Sequence, residues 1–208
     1  MGTHLEYVSF AFEGLLKNNV KEDEYHNVFM CELGNQVLKP KKPELWCGHS
    51  TGKQYFSSFG IQHTSLDTNG KHGALKINLC EPIGNQQDSL VQNFDIVTNF
   101  GTSEHVKNQF MCWKNIHDLC KDSAIMVHVV PNTNRKGRHG LCAYSIDFFL
   151  KFAEAAEYQI IEEPANRWED VCVSTILRKK SQDFINEESF WKIFLETCKA
   201  WGTPRRKK

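Results

Sequence analysis

Residues 93–106, NFDIVTNFGTSEHV, restrict the folds open to this chain more than any other stretch. Phe94-Asp95-Ile96-Val97 is short, apolar and β-branched, the pattern of a strand covered on both faces. It breaks into Thr98-Asn99-Phe100-Gly101-Thr102, and Ser103-Glu104 opens a helical pattern that runs to about residue 121. In that helix Val106, Phe110, Trp113, Ile116, His117 and Cys120 share the apolar side. Ser103 suits an N-cap, and Glu104 the first turn, where the helix dipole favours negative charge. Open α/β sheets place ligands where a buried strand ends in polar residues just ahead of a helix. Polar residues between 98 and 105 are therefore expected to face a crevice; an ordinary strand-to-helix connection is the plain alternative.

The rest of the chain repeats this alternation. Short segments at 27–31, 61–66, 74–79, 124–130, 158–161 and 171–177 read as further strands, the second closed by the turn sequence Asp67-Thr68-Asn69-Gly70. Helical patterns fall at 50–59, with Tyr55, Phe56 and Phe59 turned inward and Gly60 as a C-terminal cap, at 144–156, and at 184–201. Strand–helix alternation argues a parallel α/β sheet with right-handed crossovers, and two closing strands without a helix between them argue an antiparallel hairpin. Three segments follow: residues 1–26, a helical lid or packing segment with Phe10, Phe12, Leu15 and Leu16 on one face; residues 27–180, the α/β domain; and residues 181–208, a helix and basic tail.

Charge and cysteine content narrow the function classes. Lys plus Arg and Asp plus Glu both total 25, so nothing global attracts a phosphate backbone, and neither a nucleic-acid nor a membrane partner is expected. Arg205-Arg206-Lys207-Lys208 reads as a solvated end. None of the eight cysteines has CxxC spacing, which fits reduced cysteine used as a small apolar residue. No run reaches the about 18 apolar residues of a membrane span, and no basic-then-apolar leader opens the chain. A cytoplasmic monomer or homodimer acting on a small molecule is the expectation.

The order of strands and the residues at their ends resemble the class I S-adenosylmethionine-dependent methyltransferases over roughly residues 27–179. The resemblance implies a Rossmann-like seven-stranded sheet with helices on both faces and an antiparallel C-terminal hairpin. In that family the first strand carries an acidic residue and a glycine-rich turn against the methionine part of the cofactor; Glu32-Leu33-Gly34-Asn35-Gln36 stands there. The second strand ends in an acidic residue that binds both ribose hydroxyls, and Asp67 matches it; a carboxylate, being acceptor-only, takes two O–H donors side by side. Asn78-Leu79 matches the adenine end, and Thr98-Asn99-Phe100 the methionine end and acceptor site. The FD-[ILV]-V…EHV pattern resembles that of small-molecule methyltransferases related to ubiquinone-pathway enzymes, as does Pro131…His139…Tyr144-Ser145. One departure stands out: the family's GxGxG turn is reduced to Gly34, with Asn35 and Gln36 where further small residues belong. Asn35 tolerates left-handed backbone, and Gln36 is placed to hydrogen-bond the cofactor carboxylate.

The resemblance implies methyl transfer to an oxygen or nitrogen of a small molecule. Such an in-line displacement needs alignment above all, and a base where the acceptor is a hydroxyl. His105 and His139 are the candidates, with a helix histidine bonded to backbone and a surface-loop histidine as their plain readings. His128, inside a strand, reads first as a core histidine. Histidines 4, 26, 49, 63 and 72 lack metal-site spacing, and no metal is expected. The alternative is a catalytically silent relative that serves as a binding or scaffolding module, which the thin glycine turn and neutral charge favour. A nicotinamide-dependent oxidoreductase needs GxGxxG, which ELGNQV lacks.

Overall fold

A computed structural model describes residues 2–3, 5–38, 48–167 and 171–201. Six strands make the central sheet: β1 (Phe29–Leu33), β2 (Gln62–Leu66), β3 (Phe94–Phe100), β4 (Cys120–Pro131), β5 (Gln159–Arg167) and β6 (Cys172–Arg178). They lie in the order β2-β1-β3-β4-β6-β5. The first four are parallel, and β6 runs antiparallel to both its neighbours, which gives the expected hairpin. β1 and β3 are buried along nearly their whole length, as parallel strands sandwiched between helices must be.

Among the described residues the sheet has six strands, not the expected seven. Residues 74–79 contribute only a parallel bridge from Leu75 to Leu66, with Leu75 N donating to Ser65 O at 2.8 Å and Asp67 N to Leu75 O at 2.9 Å. Beyond Leu75 the backbone is satisfied locally. Asn78 N donates to Gln86 Oε1 (2.7 Å), Gln86 Nε2 to Asn78 O (2.9 Å), and Cys80 N to Asn78 Oδ1 (3.0 Å). Side chains that satisfy backbone groups in this way compete with ladder formation, so the edge strand stops after one residue.

One face of the sheet carries α1 (Leu5–Lys17) and α2 (Gly52–Ser58). α1 buries Val8, Phe10, Ala11, Gly14 and Leu15 against β3, β4 and β5. Leu16, expected inward, is 68% exposed. Gly14 lets the helix sit close: a Cβ there would lie 3.0 Å from Ile125 Cδ1 and 3.3 Å from Val127 Cγ2. Phe56 of α2 is buried, whereas Phe59, also expected inward, lies at the rim with its ring 5.1 Å from that of Phe12.

The opposite face carries α3 (Ile83–Gln87), α4 (Gln109–Leu119), α5 (Ile146–Ala155) and α6 (Glu187–Thr197). Trp113 sits at its centre, with ring centroids 5.2, 5.8 and 5.1 Å from those of Phe148, Phe149 and Phe152. The buried Lys179 amine donates to His117 O and Cys120 O at the end of α4 (3.2 and 3.0 Å), where the helix dipole favours a cation.

The helix expected from Ser103 begins at Gln109 instead, capped by Asn108 Oδ1, which accepts from Met111 N at 3.1 Å. Residues Ser103–His105 form a separate 3-10 turn. Asn99 Oδ1 accepts from Thr102 N (3.3 Å) and Ser103 N (3.1 Å), and so caps that turn from the strand end. Gln109 Nε2 then takes the carbonyls of Ser103 and Val106 at 2.7 and 2.6 Å, which keeps the chain from continuing as α-helix.

All seven described cysteines are free thiols, five of them buried. Among the described residues no helix is long and apolar enough to cross a membrane. Trp46, Trp168 and the basic tail lie outside the described residues.

Candidate active site

β1, β2 and β3 end side by side where the strand order reverses, the position at which an open α/β sheet leaves a crevice. A cavity of about 410 Å³ opens there, large enough for a small ligand. Its walls include Gly34 after β1, Asp67 and Thr68 after β2, Asn78 and Leu79 from the truncated edge, and Thr102, His105 and Val106 after β3. Of the residues expected to bind cofactor, Gly34, Asp67, Asn78 and Leu79 therefore reach one cavity, as does His105.

Two backbone donors hold the Asp67 carboxylate. Oδ2 accepts from Asn35 N and Oδ1 from Asn69 N, each at 3.0 Å. The second is an Asx turn; the first ties the β2 end to the β1 turn. Each oxygen keeps a further lone pair for a hydroxyl donor. Gly34 has φ 77°, a left-handed conformation that suits glycine, and its N donates to Leu66 O at 2.8 Å.

The other turn residues work behind the wall. Glu32 is buried, its Oε2 accepting from Gln36 N at 3.3 Å and its Oε1 3.8 Å from His63 Nε2. Gln36, expected to meet the cofactor carboxylate, is fully buried; its Nε2 donates to Phe100 O at 2.9 Å and stands 3.3 Å from Leu33 O and Thr102 Oγ1. It staples the β1 turn to the β3 turn. Asn35 is buried and acts through its backbone N–H. Thr98, Asn99 and Phe100 are also buried, and none lines the cavity. Thr98 lies within the strand ladder, Asn99 caps the turn, and Phe100 packs its ring 6.1 Å from Tyr7 on the α1 side. The polar wall begins at Thr102, because β3 runs to Phe100 rather than stopping at Val97.

A second glycine serves the first turn from a distance in sequence. The chain leaves at Leu38 and returns at Ser50, stitched by Leu38 N to Ser50 O and Gly52 N to Gln36 O, both 3.0 Å. α2 then starts at Gly52, where a Cβ would collide with Glu32 Oε1. Sequence reasoning missed Gly52 because it sought the second glycine next to Gly34. The available signal was Thr51-Gly52 opening a helical pattern, with Thr51 Oγ1 capping Gln54 N at 3.2 Å.

His105, which lines the cavity, meets His139, their rings 5.0 Å apart and nearly perpendicular. Both face Glu104, whose Oε1 is 3.7 Å from His105 Nε2 and 3.5 Å from His139 Nε2. Glu104, expected in the first turn of the helix, is fully buried in the 3-10 turn ahead of it. Tyr144 fixes the turn that carries it: its hydroxyl donates to Gln109 Oε1 at 2.6 Å and stands 2.9 Å from Ser103 Oγ. His128 is buried between Trp113 and Phe149, and burial alone lowers its pKa to about 3, so it is a neutral core group.

No protein-family model and no curated protein sequence matches the chain. Solved structures do. One is the 1,6-didemethyltoxoflavin-N1-methyltransferase of Burkholderia thailandensis, with 1,6-didemethyltoxoflavin and S-adenosylhomocysteine bound: TM-score 0.51, 13% identity, 77% of this chain and 76% of that one covered. Another is a SAM-dependent methyltransferase from Aquifex aeolicus (TM-score 0.47, 10% identity, 73% and 81% covered). A third is a 16S rRNA (adenine(1408)-N(1))-methyltransferase from Catenulisporales acidiphilia (TM-score 0.49, 8% identity, 78% and 92% covered). The first shows that this chain shares the Rossmann-like α/β fold of that methyltransferase, with six strands in the central sheet among the described residues.

Proposed function

We propose that this protein transfers the methyl group of S-adenosylmethionine to an oxygen or nitrogen of a small molecule. The observation that carries the reading is one cavity at the ends of β1, β2 and β3 that gathers Gly34, Asp67, Asn78, Leu79 and His105. In this reading Asp67 takes the ribose hydroxyls, Asn78 and Leu79 flank the adenine, and Gly34 with the Asn35 backbone borders the methionine end. Glu32, Gln36, Thr98, Asn99 and Phe100 hold the walls without touching ligand. His105, with His139 beside it, accepts the proton of a hydroxyl acceptor, imidazole being the side chain most often used for that task. The protein's main contribution is alignment of acceptor and methyl carbon.

A silent binding module is the second reading, favoured by Gln36, which spends its amide on backbone where the family turn has a small residue. Calorimetric titration of the full chain with S-adenosylhomocysteine separates the two. Methyl transfer predicts binding that weakens by about 10- to 100-fold in Asp67→Ala, the loss of hydrogen bonds to a charged acceptor. A folded sample that takes up neither S-adenosylmethionine nor its product would leave the module reading.

A further inference from the structure

Glu104 presents a chemical problem that methyl transfer alone does not solve. Its carboxylate is fully buried, and among the described residues neither oxygen has a hydrogen-bond partner. Burying a carboxylate without partners costs several kcal/mol, so such groups pair or coordinate a metal. The groups that face it are the two histidines, at 3.5 and 3.7 Å, both beyond hydrogen-bond length. One ligand atom from each of Glu104, His105 and His139 falls within 4.8 Å of the others.

The backbone around the carboxylate is built to hold it there. Gly101 (φ 69°) passes so close that a Cβ would lie 3.2 Å from Glu104 Oε1, and Gly140 (φ 72°) so close that one would lie 2.8 Å from Glu104 Cγ. Leu141 N donates to Glu104 O at 2.7 Å, which clamps the loop bearing His139 onto the turn bearing Glu104 and His105.

We propose that Glu104, His105 and His139 bind one divalent first-row transition-metal ion. Two imidazoles and one carboxylate are a donor set for zinc-like ions, not for magnesium or calcium, which favour oxygen alone. Bonds of roughly 2.0–2.2 Å put neighbouring ligand atoms about 3–3.5 Å apart, so the two Glu104 spacings need only a slight contraction and the two imidazole nitrogens, within 4.8 Å, must draw together. The half-exposed imidazoles are free to make it while Glu104 stays fixed. Three protein ligands leave coordination positions open, and His105 borders the cavity. A hydroxyl bound at such a position loses its proton to solvent near neutral pH, so with the ion in place His105 acts as a ligand and the ion, not the imidazole, activates the acceptor. That last role rests on the methyl-transfer reading; ion binding does not.

The test titrates the full chain, freed of metal by dialysis against chelator, with cobalt(II) and then zinc(II). One equivalent of cobalt is expected to bind with visible d–d bands of nitrogen and oxygen ligation, and zinc to displace it. Affinity should fall about tenfold or more in His139→Ala and in Glu104→Gln, and stay at the wild-type value in His26→Ala, an exposed histidine near the opposite end of β2. Near-UV circular dichroism confirms folding; if Glu104→Gln unfolds, the half-exposed His139→Ala carries the result. No cobalt bands in the wild type, or bands unchanged in His139→Ala, would overturn the proposal. S-adenosylhomocysteine titrated into the same samples reads the cofactor cavity separately, so either idea can fail without the other.

Discussion

Single side chains in this protein divide by whether their neighbours can be read from the chain. Asp67 and Gly34 stand at the end of a strand and in the turn after one, so sequence alone brings them to the cavity. Glu104 does not announce itself: its burial depends on Gly140, thirty-six residues on, folding over it. Gln36 was misplaced for a similar reason, since its partners Phe100 and Thr102 belong to another strand end. His128 gives the clearest pH signature. Its unfolded pKa is roughly 6.5, and its native pKa is lowered to about 3 by burial. Between those values the unfolded chain binds a proton that the native protein excludes, so stability falls as pH falls, by about 1.4 kcal/mol per pH unit from this group. His117, also lowered chiefly by burial, acts in the same direction. Urea unfolding at pH values of about 4 to 6 should show a shallower dependence in His128→Gln. Equal slopes in the two proteins would mean that His128 is solvated.

At the scale of elements, close approach sets the geometry. Gly14 brings α1 onto the sheet, and Gly52 brings α2 onto Glu32. Gly14→Val gains helix propensity but pushes methyl groups into Ile125, Val127 and Ile176; overpacking of this kind costs about 1–3 kcal/mol, read as a lower thermal or urea midpoint. Gly52→Ala should weaken S-adenosylhomocysteine binding as well as stability, because the Glu32 it displaces supports the first turn. A variant with lowered stability and intact ligand affinity would detach α2 from the site. Strands β1, β3 and β4 were legible because a buried strand needs an apolar run, which local sequence displays; β2, Gln62-His63-Thr64-Ser65-Leu66, was marked instead by the Asp67-Thr68-Asn69-Gly70 turn that ends it. Residues 74–79 showed a strand-like run whose ladder is forestalled by Asn78 and Gln86, a contest local pattern does not resolve. The late start of α4 has the same origin, since Asn99 and Gln109 close the preceding turn from either side.

Over the whole molecule, two apolar layers share one sheet, and the cavity lies at the end where the strand order reverses. Cysteine serves these layers as an apolar residue. Burial raises the pKa of the Cys31, Cys112, Cys120 and Cys142 thiols, to about 12 for the last two, so they resist thiol reagents until the chain unfolds. A disulfide-exchange reagent should titrate all eight thiols in denaturant and only a minority in native protein; full native reactivity would contradict the packing. In the reading proposed above, the crevice after β1, β2 and β3 holds S-adenosylmethionine with its methyl group toward His105. A crystal structure of the protein grown with S-adenosylhomocysteine tests it most directly. The account predicts both ribose hydroxyls on the Asp67 carboxylate, adenine beside Leu79 and the sulfur facing the His105 side. Ligand bound elsewhere, or an Asp67 carboxylate that keeps only its bonds to Asn35 and Asn69 in crystals containing the ligand, would contradict it.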